Sequence, residues 1–162
     1  MTPLLKLIKK QDTISLIILI LLIPVVTRLS KRVNFIYILL TSNYITLILN
    51  IACLVLMYKK IMIINGINHT LILRQGYKNT KQNIYAFMIM TTLLFLAILY
   101  GFLFLVYGIS QMSIKLLLML VIYTLLFLFE ISIIYLQFNR KPNILYIALP
   151  IIINLAYHYM FF

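Results

Sequence analysis

The sequence predicts an all-α fold: a polytopic membrane helix bundle of about five transmembrane helices, with a short interfacial helix at its N-terminus and a coupling-like helix on its cytoplasmic side. Three observations predict it. Hydrophobic residues make up 65% of the 162-residue chain and the mean hydropathy is +1.12, whereas a soluble domain is about 45–50% apolar. The apolar residues fall in long runs divided by short basic clusters. Fourteen Lys and Arg stand against two acids, Asp12 and Glu130, for a net charge of +12. A water-soluble fold of this length could not hide so much apolar surface, so lipid is the solvent. The charges punctuate apolar runs and form no stripe on one face, so nucleic acid, the usual partner of a strongly basic chain, is not expected. The chain reads as one integral membrane domain.

The elements follow in order. Thr2 can cap a helix and Pro3 suits its first turn. Leu4, Leu5 and Ile8 fall at helical spacing with Lys6, Lys9 and Lys10 on the other side, which predicts a short amphipathic helix in the inner interface. The alternative is a frayed basic tail. The first span, 13–27, is short and contains Pro24. It runs into Arg28, Lys31 and Arg32 and lacks a small-x-small cleavage site, so it reads as a retained span and not a cleaved signal. The second span, 33–57, carries Asn43, Thr46, Asn50 and Cys53 as a single polar stripe. The third, 84–109, has small residues at Ala97, Gly101 and Gly108 that would let a second helix approach. The fourth, 114–138, contains Glu130. The fifth, 144–162, contains Pro150, Asn154 and His158. A helix needs about 20 apolar residues to cross roughly 30 Å of hydrocarbon, and in lipid the backbone must bond to itself, so these are helices. Tyr58, Tyr85, Tyr157 and Tyr159 fall where interfacial aromatics belong.

Positive residues near span ends prefer the cytoplasm. With the N-terminus inside and the C-terminus outside, ten Lys and Arg lie inside, in the N-terminal segment, the 59–83 loop (including Lys59, Lys60 and Lys81) and at Arg140 and Lys141. Four lie outside: Arg28, Lys31, Arg32 and Lys115. The first outer loop opposes this orientation. Leaving the first span out would place the more basic 59–83 loop outside, which is worse.

The cytoplasmic loop, 59–83, is too apolar for a plain linker. Gly66 and Gly76 bracket the run 67–75, in which Ile67, Leu71 and Arg74 share one side while Asn68, His69 and Gln75 lie elsewhere. Glycine at each edge lets the chain turn sharply. The expectation is a short separate helix that docks on a partner. The alternative is that the second span continues past the membrane and bends back. Asn68-His69-Thr70 matches the glycosylation acceptor pattern, but on the cytoplasmic side it carries no weight.

In its parts and their order, the chain resembles the permease subunits of type-2 ABC exporters, especially the small forms beside bacterial peptide and bacteriocin loci. The stretch Asn68-His69-Thr70-Leu71-Ile72-Leu73-Arg74-Gln75-Gly76-Tyr77-Lys78 is similar to the family's Arg-x-Gly-x-Lys loop signature, with Arg74, Gly76 and Lys78 at the matching positions. The resemblance implies an N-terminal elbow helix and a coupling helix between spans two and three that seats in an ATPase. Ile67, Leu71, Arg74, Gly76 and Lys78 would then be the docking residues. It also implies a homo- or hetero-oligomer with another permease, in a bacterial cytoplasmic membrane. The family's usual six spans and internal C-terminus differ from the five spans here. No G-x-x-x-x-G-K-[ST] loop is present, so the ATPase would come in trans. The alternative functions are a bacteriocin immunity or accessory membrane protein, and a structural subunit of a larger membrane complex.

Enzymatic chemistry, a cofactor and a metal are not expected. Asp12 and Glu130 are too far apart in depth to form a paired-carboxylate site. Cys53 lies in a span and His69 in the loop, with no residue placed to orient the histidine. Two distant histidines make no metal site. An ionisable residue inside a span is a functional candidate, and counting from Arg140 puts Glu130 about 15 Å deep. No cation lies within a turn of it. A neutral Glu130 donating to Asn50 or Asn154 would join helices, a charged one would line a water-filled path, and an oligomer contact is the third option. Asn43, Asn50, Glu130 and Asn154 are the intramembrane polar candidates.

Overall fold

The computed structural model describes residues 44–107 and 114–160. These form five α-helices: α1 (Tyr44–Gly66), α2 (Asn68–Gln75), α3 (Tyr77–Tyr107), α4 (Ile114–Tyr135) and α5 (Leu145–Met160). The predicted interfacial segment at 4–10, the first span at 13–27, Asp12, Asn43 and Gly108 lie outside the described residues.

Helix α1 over Leu47–Gly66, α3 over Tyr77–Gly101 and α4 over Leu117–Tyr135 are long and apolar enough to cross a membrane. Their outer faces carry large exposed apolar side chains, among them Met90, Leu94, Leu125 and Phe129. In water such continuous faces would drive association, and in a bilayer they meet acyl chains. The chain is a helical membrane protein. Helix α5 is shorter. Its 16 residues rise about 24 Å, against roughly 30 Å of hydrocarbon, so over the described residues the fifth span is a shorter apolar helix than 144–162 predicts.

The region expected to be a loop at 59–83 is almost wholly helical. Helix α1 runs on past residue 57 to Gly66, and α3 starts at Tyr77, well before residue 84. Hydropathy reports how much of a helix touches lipid, and a helix does not stop where polarity rises. Both sequence expectations hold in part: the second span does continue, and a separate eight-residue helix follows it. The chain turns at Ile67 (φ −113°, ψ 9°) and at Gly76 (φ 77°, ψ 153°). The Gly76 conformation belongs almost exclusively to glycine. Gly66 needs no such freedom and closes α1 as a helical residue.

Buried side chains recur at helical spacing, which places one face of each helix inward. On α1 they include Asn50, Cys53, Leu54, Met57, Ile61 and Ile64. On α3 they include Ile84, Met88, Thr92, Phe95 and Leu99. On α4 they are Tyr123, Phe127, Glu130, Ile131 and Ile134. Helix α4 packs against α1, α3 and α5, α1 also packs against α5, and α2 sits against α3 and α1. Phe127 lies at the centre, fully buried, stacked on Phe95 and Tyr123 with ring centroids 6.3 and 6.5 Å away. Ala97 and Gly101 are exposed, and Gly101 has no neighbour where a side chain would project, so these two small residues make no close helix contact among the described residues.

Candidate functional site

Two polar regions stand out, one at the basic end of the bundle and one inside it. The basic end is where α1 turns into α2 and where the 136–144 connection joins α4 to α5. The two connections, about seventy residues apart in sequence, are clasped by amides. The Asn65 side chain donates to the Gln137 carbonyl at 3.0 Å and accepts from the Asn139 backbone N–H at 2.9 Å. The Asn68 amide donates to Asn139 Oδ1 at 2.7 Å. That amide nitrogen is the one a glycosylation site would present, and here it is committed to this bond.

Gln137 is fully buried and organises the connection. Its amide donates to the carbonyls of Arg140 and Lys141 at 3.1 and 2.8 Å, and its Oε1 accepts from the Asn143 N–H at 3.0 Å. Asn143 in turn accepts from the Leu145 N–H, capping the start of α5, and its carbonyl accepts from the Tyr58 hydroxyl. Asn139 sits at φ 57°, a left-handed conformation that Asn tolerates better than most residues. A buried backbone polar group without a partner costs about as much as a lost hydrogen bond, and here short amide side chains supply the partners. Asn65, Gln137, Asn139 and Asn143 were not among the residues singled out from sequence. The signal was present as a concentration of amides at the two span ends, but nothing local says which amides pair.

Helix α2 is fastened on its inner side. Asn68 is buried and Leu71 packs against the core. Thr80 of α3, also buried, donates to the Leu71 and Gly76 carbonyls at 3.3 and 2.9 Å. Of the five docking residues expected from sequence, Arg74, Gly76 and Lys78 are exposed, Ile67 is half-buried, and Leu71 turns inward to this chain's own core. Leu73, not among the docking residues expected from sequence, is 73% exposed and is the apolar residue α2 offers outward. Lys60, counted from sequence as a loop charge, is buried with its ammonium 5.6 Å from the Phe87 ring centroid. Because α1 continues past residue 57, position 60 falls on its inward face.

The second region is intramembrane. Glu130 is fully buried, and the Asn154 amide donates to both of its carboxyl oxygens at 3.3 Å. One of the two partners expected from sequence is therefore present, with the amide as donor and the acid as acceptor. Asn50 is buried as well, but its Oδ1 has no hydrogen-bond partner among the described residues, and neither does the Tyr123 hydroxyl. Tyr123 meets Tyr100 edge-on and Tyr157 at a tilt, with centroids 6.3 and 6.0 Å away. Helix α4 ends at Tyr135, five residues beyond Glu130, and the chain runs on through consecutive turns at 136–138 toward Arg140. Cys53 is buried on α1 while His69 is exposed on α2, so the two do not meet. Among the described residues no cluster of His, Cys, Asp or Glu could hold a metal ion.

No protein-family model matches the chain, and no curated protein or solved structure matches it.

Proposed function

We propose that the chain is a membrane-spanning subunit of an ABC-type export system that moves peptides or amphiphiles across a bacterial cytoplasmic membrane, with the ATPase bound in trans at α2. The observation that carries this reading is α2 itself. It is a discrete helix between two spans, pinned from behind by Thr80 and Asn68, with Leu73 and Arg74 outward and Lys78 just beyond Gly76. A helix held rigidly by its own bundle transmits a push from a bound partner, which is what coupling requires. A second permease, identical or different, would complete the pathway. Purification of the full chain from native membranes in mild detergent tests the reading. ATP hydrolysis is expected to co-purify, and the Arg74→Ala/Lys78→Ala double variant is expected to lose about tenfold of it, matching roughly 1.4 kcal/mol of lost contact. Undiminished co-purification in the double variant overturns the assignment.

One observation favours the second reading, a bacteriocin immunity or accessory membrane protein that works by binding alone. Glu130 is already bonded across α4 and α5, as expected of a helix contact and not of a group waiting for cargo. Protection that survives deletion of any partner ATPase would select this alternative.

A further inference from the structure

The groove between α3 and α4 at the basic end joins two hollows. The larger, about 440 Å³, is lined by Lys78, Lys81, Tyr85, Ser132 and Leu136 among others, within the roughly 300–1,000 Å³ of ligand sites. A smaller hollow of about 160 Å³ shares Lys81 and Leu136 with it and adds Tyr77, Asn139 and Arg140. Lys78 and Lys81 lie three apart on one helix face, and Arg140 lines the smaller hollow while its guanidinium also donates to the Tyr146 hydroxyl, so three exposed cations border the two hollows. Glu130, the acid among the described residues, is buried against Asn154 and cannot neutralise them. The first turn of α3 begins beside the hollow and carries no acid, so the positive end of its dipole adds to the same field.

The walls are preset. The Tyr85 and Tyr135 rings pack at 4.8 Å between centroids. Tyr85 shares a hydrogen bond with Ser132 at 3.1 Å, and the Tyr135 hydroxyl donates to the Lys81 carbonyl at 3.0 Å. With these hydroxyls satisfied, the rings present apolar faces. Below the cations an exposed apolar stripe runs from Leu136, just past the end of α4, to Phe129 and Leu125 on its outer face. The arrangement is cationic at the mouth, aromatic at the neck and apolar beneath.

We propose that this groove binds an anionic phospholipid of the surrounding bilayer. Its phosphate would sit against Lys78, Lys81 and Arg140, and one acyl chain would lie along Leu136, Phe129 and Leu125. The chemistry needs both parts: the three cations select charge, and the stripe selects a molecule with a tail. Lys78 is shared with the docking residues proposed for the ATPase, whereas Lys81 and Arg140 are not, so lipid retention by the isolated chain is read separately from ATPase co-purification.

Native mass spectrometry of the full chain in detergent, titrated with phosphatidylglycerol or phosphatidylcholine, tests the proposal. Phosphatidylglycerol is expected to be retained in clear preference. Lys78→Gln/Lys81→Gln is expected to weaken it roughly thirtyfold, the effect of two basic residues beside an anionic headgroup. The charge-matched pair Lys59→Gln/Arg74→Gln, outside the groove, is expected to stay within about threefold of the parent protein on the same scale. Gln82→Trp, which fills the larger hollow without changing charge, is expected to lower retention as well. Equal losses in the two charge pairs would show diffuse attraction and overturn the site. So would equal retention of the two lipids, unaltered retention in Gln82→Trp, or displacement of phosphatidylglycerol by an equal concentration of inorganic phosphate, which would mark a free-anion site.

Discussion

The two polar regions of this bundle are built differently. At the basic end, five amide side chains hold two distant connections, and each bonds to backbone or to another amide at ordinary hydrogen-bond distance. Inside the membrane, Glu130 and Asn154 meet at 3.3 Å, and Asn50, Tyr100 and Tyr123 keep polar atoms without a partner among the described residues, against Asn68 Oδ1 alone in the clasp. The first region fixes backbone geometry. The second joins helices loosely and retains bonding capacity. In a bilayer, packing and caps hold the structure, and a polar side chain between spans contributes less than its cost in hydrocarbon would imply.

Five substitutions, two of them combined in one pair, would break or sharpen that contrast. Gln137→Ala strips three backbone partners from a buried site and is expected to cost about 3 kcal/mol, a fall of roughly 6–12 °C in thermal unfolding in detergent. A fall smaller than that for Glu130→Leu would reverse the ranking of the two regions. Gly76→Ala meets no neighbouring atom, so its cost is conformational alone, about 1–3 kcal/mol. Faster hydrogen exchange across α2 would report it, and unaltered exchange would contradict the requirement for glycine. Glu130→Leu is expected to cost about 1–2 kcal/mol by orphaning Asn154, and adding Asn154→Leu should recover part of the loss. Strictly additive losses would mean that the pair does not interact. Leu73→Ser should change stability by less than about 0.5 kcal/mol while weakening ATPase co-purification. A large stability loss would place Leu73 in the core and remove it from the docking face.

The sequence made the membrane class plain because hydropathy is a local property, and the long apolar runs became α1, α3 and α4. It misplaced helix ends around 57 and 84 because polarity marks the edge of lipid while Ile67 and Gly76 mark the edge of the helix. Glu130 was legible as the charge that no anchor explains, and Asn154 was one of two partners open to it. Lys60 was misread because its burial depends on α1 continuing. Gln137 was invisible, since a glutamine near a span end looks the same whether it faces water or holds three backbone groups. Leu71 and Leu73 were separable only once Thr80 fixed which side of α2 faces inward. Asn43 and the 4–10 segment lie outside the described residues, so their roles stand on sequence alone.

The amide clasp also orders events in time. Asn65 and Asn68 leave the ribosome about seventy residues before Gln137 and Asn139, the residues they hold. Until that later segment emerges, α2 has Thr80 behind it but the Asn68 side chain at its first turn lacks Asn139. A nascent chain would therefore carry α2 with its first turn unclasped until the segment after α4 is in place.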